Sequence, residues 1–181
     1  MKSSRCLDQG DRSIGVLHTD YDLTKVWFQC WYGNCSSSTW MHIAITERFG
    51  ALEYEDAAAL QFPKGLPGFD ERRHFVLVEQ AGLAPLVFLQ SLETPELCFL
   101  ALPVQVVDAN YDASVAPDDL ETLAIDPSDQ PLCLTLLAAA ENGRLTANLL
   151  APVVINPRTR IAVQAVRSDM RYSHQHALAG C

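Results

Sequence analysis

No run in the 181-residue sequence approaches the roughly 20 apolar residues that a membrane-spanning helix needs. The N-terminus, "MKSSR", starts as an export signal would, but "CLDQGDRSIG" follows, with three charges where an apolar stretch belongs. A strained Gly-x-Ser-x-Gly elbow is missing, so no nucleophilic triad is framed. "CWYGNC" at 30–35 has no second cysteine pair, and His174 and His176 in "YSHQH" have no third ligand nearby, so no zinc site is predicted. Asp118 and Asp119 would do acid and base work only in a closed cleft; adjacent acids in a first helical turn are ordinarily solvated partners of the dipole. None of these patterns supports catalysis specifically, and no metal or cofactor is expected.

Lysine and arginine are also missing between Arg73 and Arg144. That span holds 11 acids: Glu79, Glu93, Glu96, Asp108, Asp112, Asp118, Asp119, Glu121, Asp126, Asp129 and Glu141. Residues 41–181 carry 9 basic and 18 acidic side chains, which accounts for the whole net charge of −9. An uncompensated acidic field repels nucleic acid and steers basic proteins toward itself. Solubility alone is the other reading of such a surface. The length of the base-free stretch favours a basic protein partner, with no direct nucleic-acid contact and no membrane.

What is present suffices for one compact domain, since 49% of the residues are apolar. Six cysteines, Cys6, Cys30, Cys35, Cys98, Cys133 and Cys181, are scattered rather than framed. Cys98 and Cys133 fall inside apolar runs, where a free cysteine behaves as a small hydrophobe. A reduced, intracellular protein is expected. Residues 1–40 differ from the rest: they hold Trp27, Trp31 and Trp40 and lack a sustained period. Met41 is expected to be the functional start, with 1–40 a disordered extension or an over-long translation, and 41–181 a single domain.

From 41 onward short apolar or alternating runs recur between Gly, Pro, Asn and Asp, which is a strand signal. Strands are predicted at 42–48, 51–55, 74–79, 86–91, 97–102, 104–108, 132–139, 145–149, 152–156 and 161–166. The fold class is therefore mainly β: a small antiparallel β-barrel-like or sandwich domain with one or two short helices. "APDDLETLAI" predicts a helix, with Pro117 in its first turn, Asp118 and Asp119 complementing the dipole, and Leu120, Leu123 and Ala124 forming an apolar face. "ENGR" at 141–144 predicts a hairpin turn of type I′.

"FPKGLPGFDERRHF" at 62–75 has the glycines of a phosphate cradle but not its chemistry. Asp70 and Glu71 would repel an anion, and Pro67 removes an N–H. Turn chemistry accounts for it better. Pro67 and Gly68 suit the second and third positions of a type II turn, and Pro63 starts another just before it.

Read in order from about Met41 to Leu178, the chain resembles the FliW family of flagellar assembly factors. The likeness rests on "TERFGALEYE", "LQFPKGLPGFDERRHFVLV", "PLVFLQSLETPELCFLALP", "DLETLAIDPSD", "LTANLLAPVVINPRTRIAVQAV" and "RYSHQHAL". Residues 1–40 have no counterpart in the family pattern, "RIAVQAV" replaces a more basic stretch, and "LPVQVV" lacks a more aromatic continuation. The resemblance implies a cytoplasmic, non-enzymatic domain that binds flagellin and the RNA-binding translational repressor CsrA, coupling free flagellin to its own translation. A chaperone-like binder of an export substrate without CsrA is the alternative, and an enzyme of unknown type a further one. Partner contact is expected at Asp118, Asp119, Glu121, Asp126 and Asp129 for steering. For flagellin it is expected at apolar surface near Leu66 and Phe69, or along the segment from Asn148 to Asn156.

Overall fold

The computed structural model describes residues 14–16, 40–113, 115–126, 129–140, 143–169 and 171–178. Among them the strands are β1 (Ile14–Val16), β2 (Met41–Thr46), β3 (Gly50–Glu55), β4 (Ala59–Gln61), β5 (His74–Gln80), β6 (Val87–Ser91), β7 (Cys98–Pro103), β8 (Leu132–Ala139), β9 (Leu145–Ala147), β10 (Val153–Ile155), β11 (Ala162–Gln164) and β12 (His176–Ala177). Two short helices, α1 (Val104–Val107) and α2 (Pro117–Leu123), interrupt them. The mainly β prediction holds. Apart from Ile14–Val16 and Trp40, the prediction for residues 1–40 falls outside the described residues.

One antiparallel sheet runs β1-β5-β6-β7-β8-β10-β11, with β4 beside β5 and with β9 and β12 continuing from β8. It curls without closing into a barrel: its ends approach through a lone parallel bridge between Gln61 and Ile161. The hairpin β2–β3 is a separate two-stranded sheet, paired from Met41 with Glu55 to Thr46 with Gly50.

Burial explains why so many strands read as continuous apolar runs. On the concave face, Leu60, Phe62, Leu66, Phe75, Leu77, Leu89, Leu134, Val153 and Ile155 pack into one cluster. The convex face is covered in two places. Val76, Val78 and Phe88 meet Phe49 and Leu52 of the β2–β3 hairpin. Cys133, Val154 and Val163 meet Val104 of α1, Tyr111 and Leu123 of α2. Strands buried on both faces lose the polar alternation that a half-exposed strand keeps. Burial also pushes the Cys133 thiol up to about 11, which suits an inert hydrophobe.

The strand predicted at 104–108 is corrected: Val104–Val107 form α1, and Asp108 caps it, its N–H bonded to the Val104 carbonyl at 2.9 Å. Valine-rich "VQVV" has strand propensity, but its preference yields to context, here the burial of Val104 against the convex face. Two short strands, β4 and β12, lie outside the predicted strands. At the β8–β9 hairpin, Gly143 takes φ +77° and donates its N–H to the Ala140 carbonyl. Glu141 and Asn142 of the predicted turn lie outside the described residues.

The loop after β4 is a run of turns. Gly65 N–H bonds the Phe62 carbonyl at 3.0 Å, Phe69 N–H the Leu66 carbonyl at 2.7 Å, and Arg72 N–H the Phe69 carbonyl at 2.9 Å. Gly68, at φ +82°, completes the predicted type II turn. Gly65 is constrained twice: its φ is +69°, and a Cβ there would lie 2.6 Å from the backbone of Asp70. Gly65→Ala should therefore cost about 2 kcal/mol or more, against about 1 kcal/mol for Gly68→Ala, where a Cβ meets open space. Thermal melting of the two variants checks this, with Gly65→Ala melting several degrees lower.

Candidate functional site

Helix α2 is only 7 residues long and cannot hold itself. Pro117 opens it, Asp118 and Asp119 sit in its first turn, and Ala124 ends it in the left-handed region at φ 49°. The carbonyls left over at that end are taken up by the turn that follows β10. Asn156 Nδ2 donates to the carbonyls of Leu123 (3.0 Å) and Ala124 (3.1 Å) and to Asp129 Oδ2 (3.3 Å). Its Oδ1 accepts the Arg158 N–H at 2.9 Å. Arg158 Nη2 then reaches the Ala124 carbonyl, Asp126 and Asp129 at 2.9–3.0 Å. At the other end of α2, Lys64 bonds Asp119 at 3.2 Å, attaching the loop of turns to the helix.

These contacts bring most of the predicted residues to one end of the molecule. Asp118, Glu121 and Asp126 are exposed there. Asp119 and Asp129 are held by Lys64 and Arg158, and the Asp129 side chain is 13% exposed. Phe69 is 39% exposed and packs edge-on against Phe99 at 5.3 Å. Leu66, 1% exposed, lies in the concave core and supports the turn from beneath, so in this arrangement it offers no contact surface. Asn156 is 0% exposed and acts through α2. Asn148 takes no part in this face; its Oδ1 accepts the Ala151 N–H in the turn between β9 and β10.

Several residues that organise the surface were missed from the sequence. Lys64 and Arg158 lie outside the base-free span yet neutralise acids inside it. Gln90 and Ser91 shape the β6–β7 turn: the buried Gln90 amide donates to the carbonyls of Ser91, Pro95 and Leu97, and Ser91 Oγ accepts from the Glu93 and Thr94 N–H groups. The Arg167 side chain is buried over the rings of Tyr111 and Tyr172, bonded to Asp169 and to the Asp112 carbonyl. Polar residues inside apolar stretches were the available signal, but for Lys64, Arg158 and Arg167 the partners that matter lie 29 to 55 positions away.

Electrostatically, the end around α2 remains acidic. Asp119 is paired with Lys64, and Asp126 and Asp129 with Arg158, while Asp118 and Glu121 stand exposed. The Arg158 guanidinium holds the Asp129 carboxyl below the usual carboxylate range. Among the described residues, no group of three or more His, Cys, Asp or Glu side chains has the arrangement to hold a metal ion. The arrangement suits contact with a charged macromolecule.

Comparison with known proteins gives a consistent result. The family described as "FliW protein" matches residues 43–178. The chain is 36% identical over 134 residues to a flagellar assembly factor FliW of Heliobacterium modesticaldum, covering 74% of this chain and 88% of that protein. It is 31% identical over 139 residues to that of Bacillus subtilis, covering 76% and 97%. A crystal structure of the flagellar assembly factor FliW superposes with a TM-score of 0.70 at 30% identity, covering 77% of this chain and 98% of that one.

Two outcomes are expected from the geometry. Asn156→Ala removes the amide from buried carbonyls and should cost about 2–3 kcal/mol, loosening α2 as seen by faster amide exchange over 117–123. The second concerns pH. Asp129 is lowered by Arg158, Asp169 by Arg167, and Asp108 by the Asn110 N–H and the Tyr172 hydroxyl. For Glu93, burial acts upward, but His74 and the backbone N–H groups of Arg73 and His74 outweigh it. A lowered folded pKa stabilises fully above the ordinary carboxylate value of about 4, and the contribution disappears as pH falls through the folded value. Glu79, raised by burial, opposes this weakly. The melting temperature should stay flat from pH 7 to about 5 and drop steeply below about 4.

Proposed function

The chain belongs to the FliW family of flagellar assembly factors, and from that premise we propose that it binds flagellin and the RNA-binding repressor CsrA in the cytoplasm, acting by contact and not by catalysis. In this reading, flagellin and CsrA compete for or share the protein, so that free flagellin controls how much CsrA is available to repress translation. The observation that carries the proposal is the acidic end around α2, where Asp118 and Glu121 stand exposed beside the paired Asp119, Asp126 and Asp129. A repressor that holds RNA must present positive charge to phosphate. An acidic surface therefore attracts it, speeds the encounter, and disfavours RNA beside it.

Flagellin contact falls on exposed apolar groups of the same end. Phe69 and Leu120 are both exposed, and they sit on elements joined by the Lys64–Asp119 pair. The strand residues Val153, Val154 and Ile155 are each 0% exposed, so the earlier expectation along the segment from Asn148 to Asn156 has less to offer.

Asp118→Lys with Glu121→Lys reverses two exposed charges without touching the Asn156 clamp. Association with CsrA should slow by about tenfold at low ionic strength, and its salt dependence should flatten. Stopped-flow mixing reads this directly; an unchanged on-rate at low salt rules the steering role out. Affinity capture from motile cells tests the partners themselves: flagellin with CsrA supports the proposal, and flagellin alone leaves an export chaperone.

A further inference from the structure

The inner side of β5 is fully engaged, pairing with β6 from Phe75 with Ser91 to Glu79 with Val87. Its outer side is not uniform. β4 covers only the first part, Gln61 with His74 to Ala59 with Val76. Beyond that the strand continues to Gln80, and an uncovered strand edge there would present free N–H and C=O groups to any extended chain. In this structure β1 lies on that part of the edge, with Ile14 opposite Gln80, Gly15 opposite Glu79 and Val16 opposite Val78.

Three features make this a built seat and not a casual crossing. The paired segment comes from far along the chain, 62 positions or more from its partners, and lies upstream of the family-matched residues 43–178. β1 also lies against β3 of the hairpin, so the seat has a wall as well as an edge. The residue opposite Glu79 is glycine. Directly opposed residues in an antiparallel pair sit about 5 Å apart on one face, so at Gly15 no side chain stands across from the half-buried Glu79 carboxylate.

We propose that the outer edge of β5 at Val78–Gln80 is a strand-acceptor site, occupied by the chain's own Ile14–Val16 and selective for an extended segment with a glycine opposite Glu79. Recognition is by strand addition: main-chain hydrogen bonds supply affinity, and the small residue supplies selection. An intramolecular occupant has a high effective concentration, so it holds the edge against other extended chains until it is displaced. The site is independent of the acidic end and of the identity of the protein's partners.

The test uses the full chain and hydrogen–deuterium exchange at Val78, Glu79 and Gln80. Gly15→Pro removes an N–H and breaks the added strand, and should speed exchange of the outward-facing amides in this stretch by about tenfold or more while leaving Val87–Ser91 protected. Adding a synthetic peptide of residues 11–19 to the Gly15→Pro protein should restore the protection, and the same peptide with valine in place of its glycine should not. Unchanged exchange in the variant overturns the intramolecular pairing. Failure of the glycine peptide to restore protection, or equal restoration by the valine peptide, overturns the acceptor site or its selectivity.

Discussion

The buried amide of Asn156 is the interaction on which the acidic end of the molecule depends. A helix of 7 residues leaves more carbonyls unsatisfied than it satisfies, and α2 would not persist on its own. Asn156 is fixed by the end of β10, and it presents its amide to the last carbonyls of α2 while its oxygen orders the backbone of Arg158. Arg158 then gathers Asp126 and Asp129. The acidic surface is thus anchored to the sheet through one side chain, and Leu123 beside it closes the convex core.

The charge pattern changes meaning in three dimensions. Along the sequence, the stretch from Arg73 to Arg144 has no cation to balance its acids. In the fold, cations arrive from outside it: Lys64 reaches Asp119, Arg158 reaches Asp126 and Asp129, and Arg167 lies over the rings of Tyr111 and Tyr172. Some acids are therefore structural. Asp118 and Glu121 remain exposed, and to them the proposed steering falls.

Much of the fold was legible in local chemistry. The turn at Leu66–Phe69 followed from Pro67 and Gly68, and α2 from Pro117 and the two aspartates after it, because each depends on the φ preferences and polar groups of adjacent residues. Most strands followed from apolar runs. α1 did not, since β-branched residues read as strand and only the packing of Val104 shows otherwise. β4 and β12 were missed because 3 and 2 residues are too few to carry a period.

The site was legible as a composition and not as a geometry. The sequence by itself determined the family, the β architecture, the turns and the acidic balance, all of which reside in residue type and short-range order. Tertiary structure alone decided which acids are neutralised, that Leu66 and Asn156 work from inside, and that Ile14–Val16 lie on β5. Those outcomes are pairings between distant segments, and no local preference of the chain specifies which distant atom a carboxylate or a strand edge will meet.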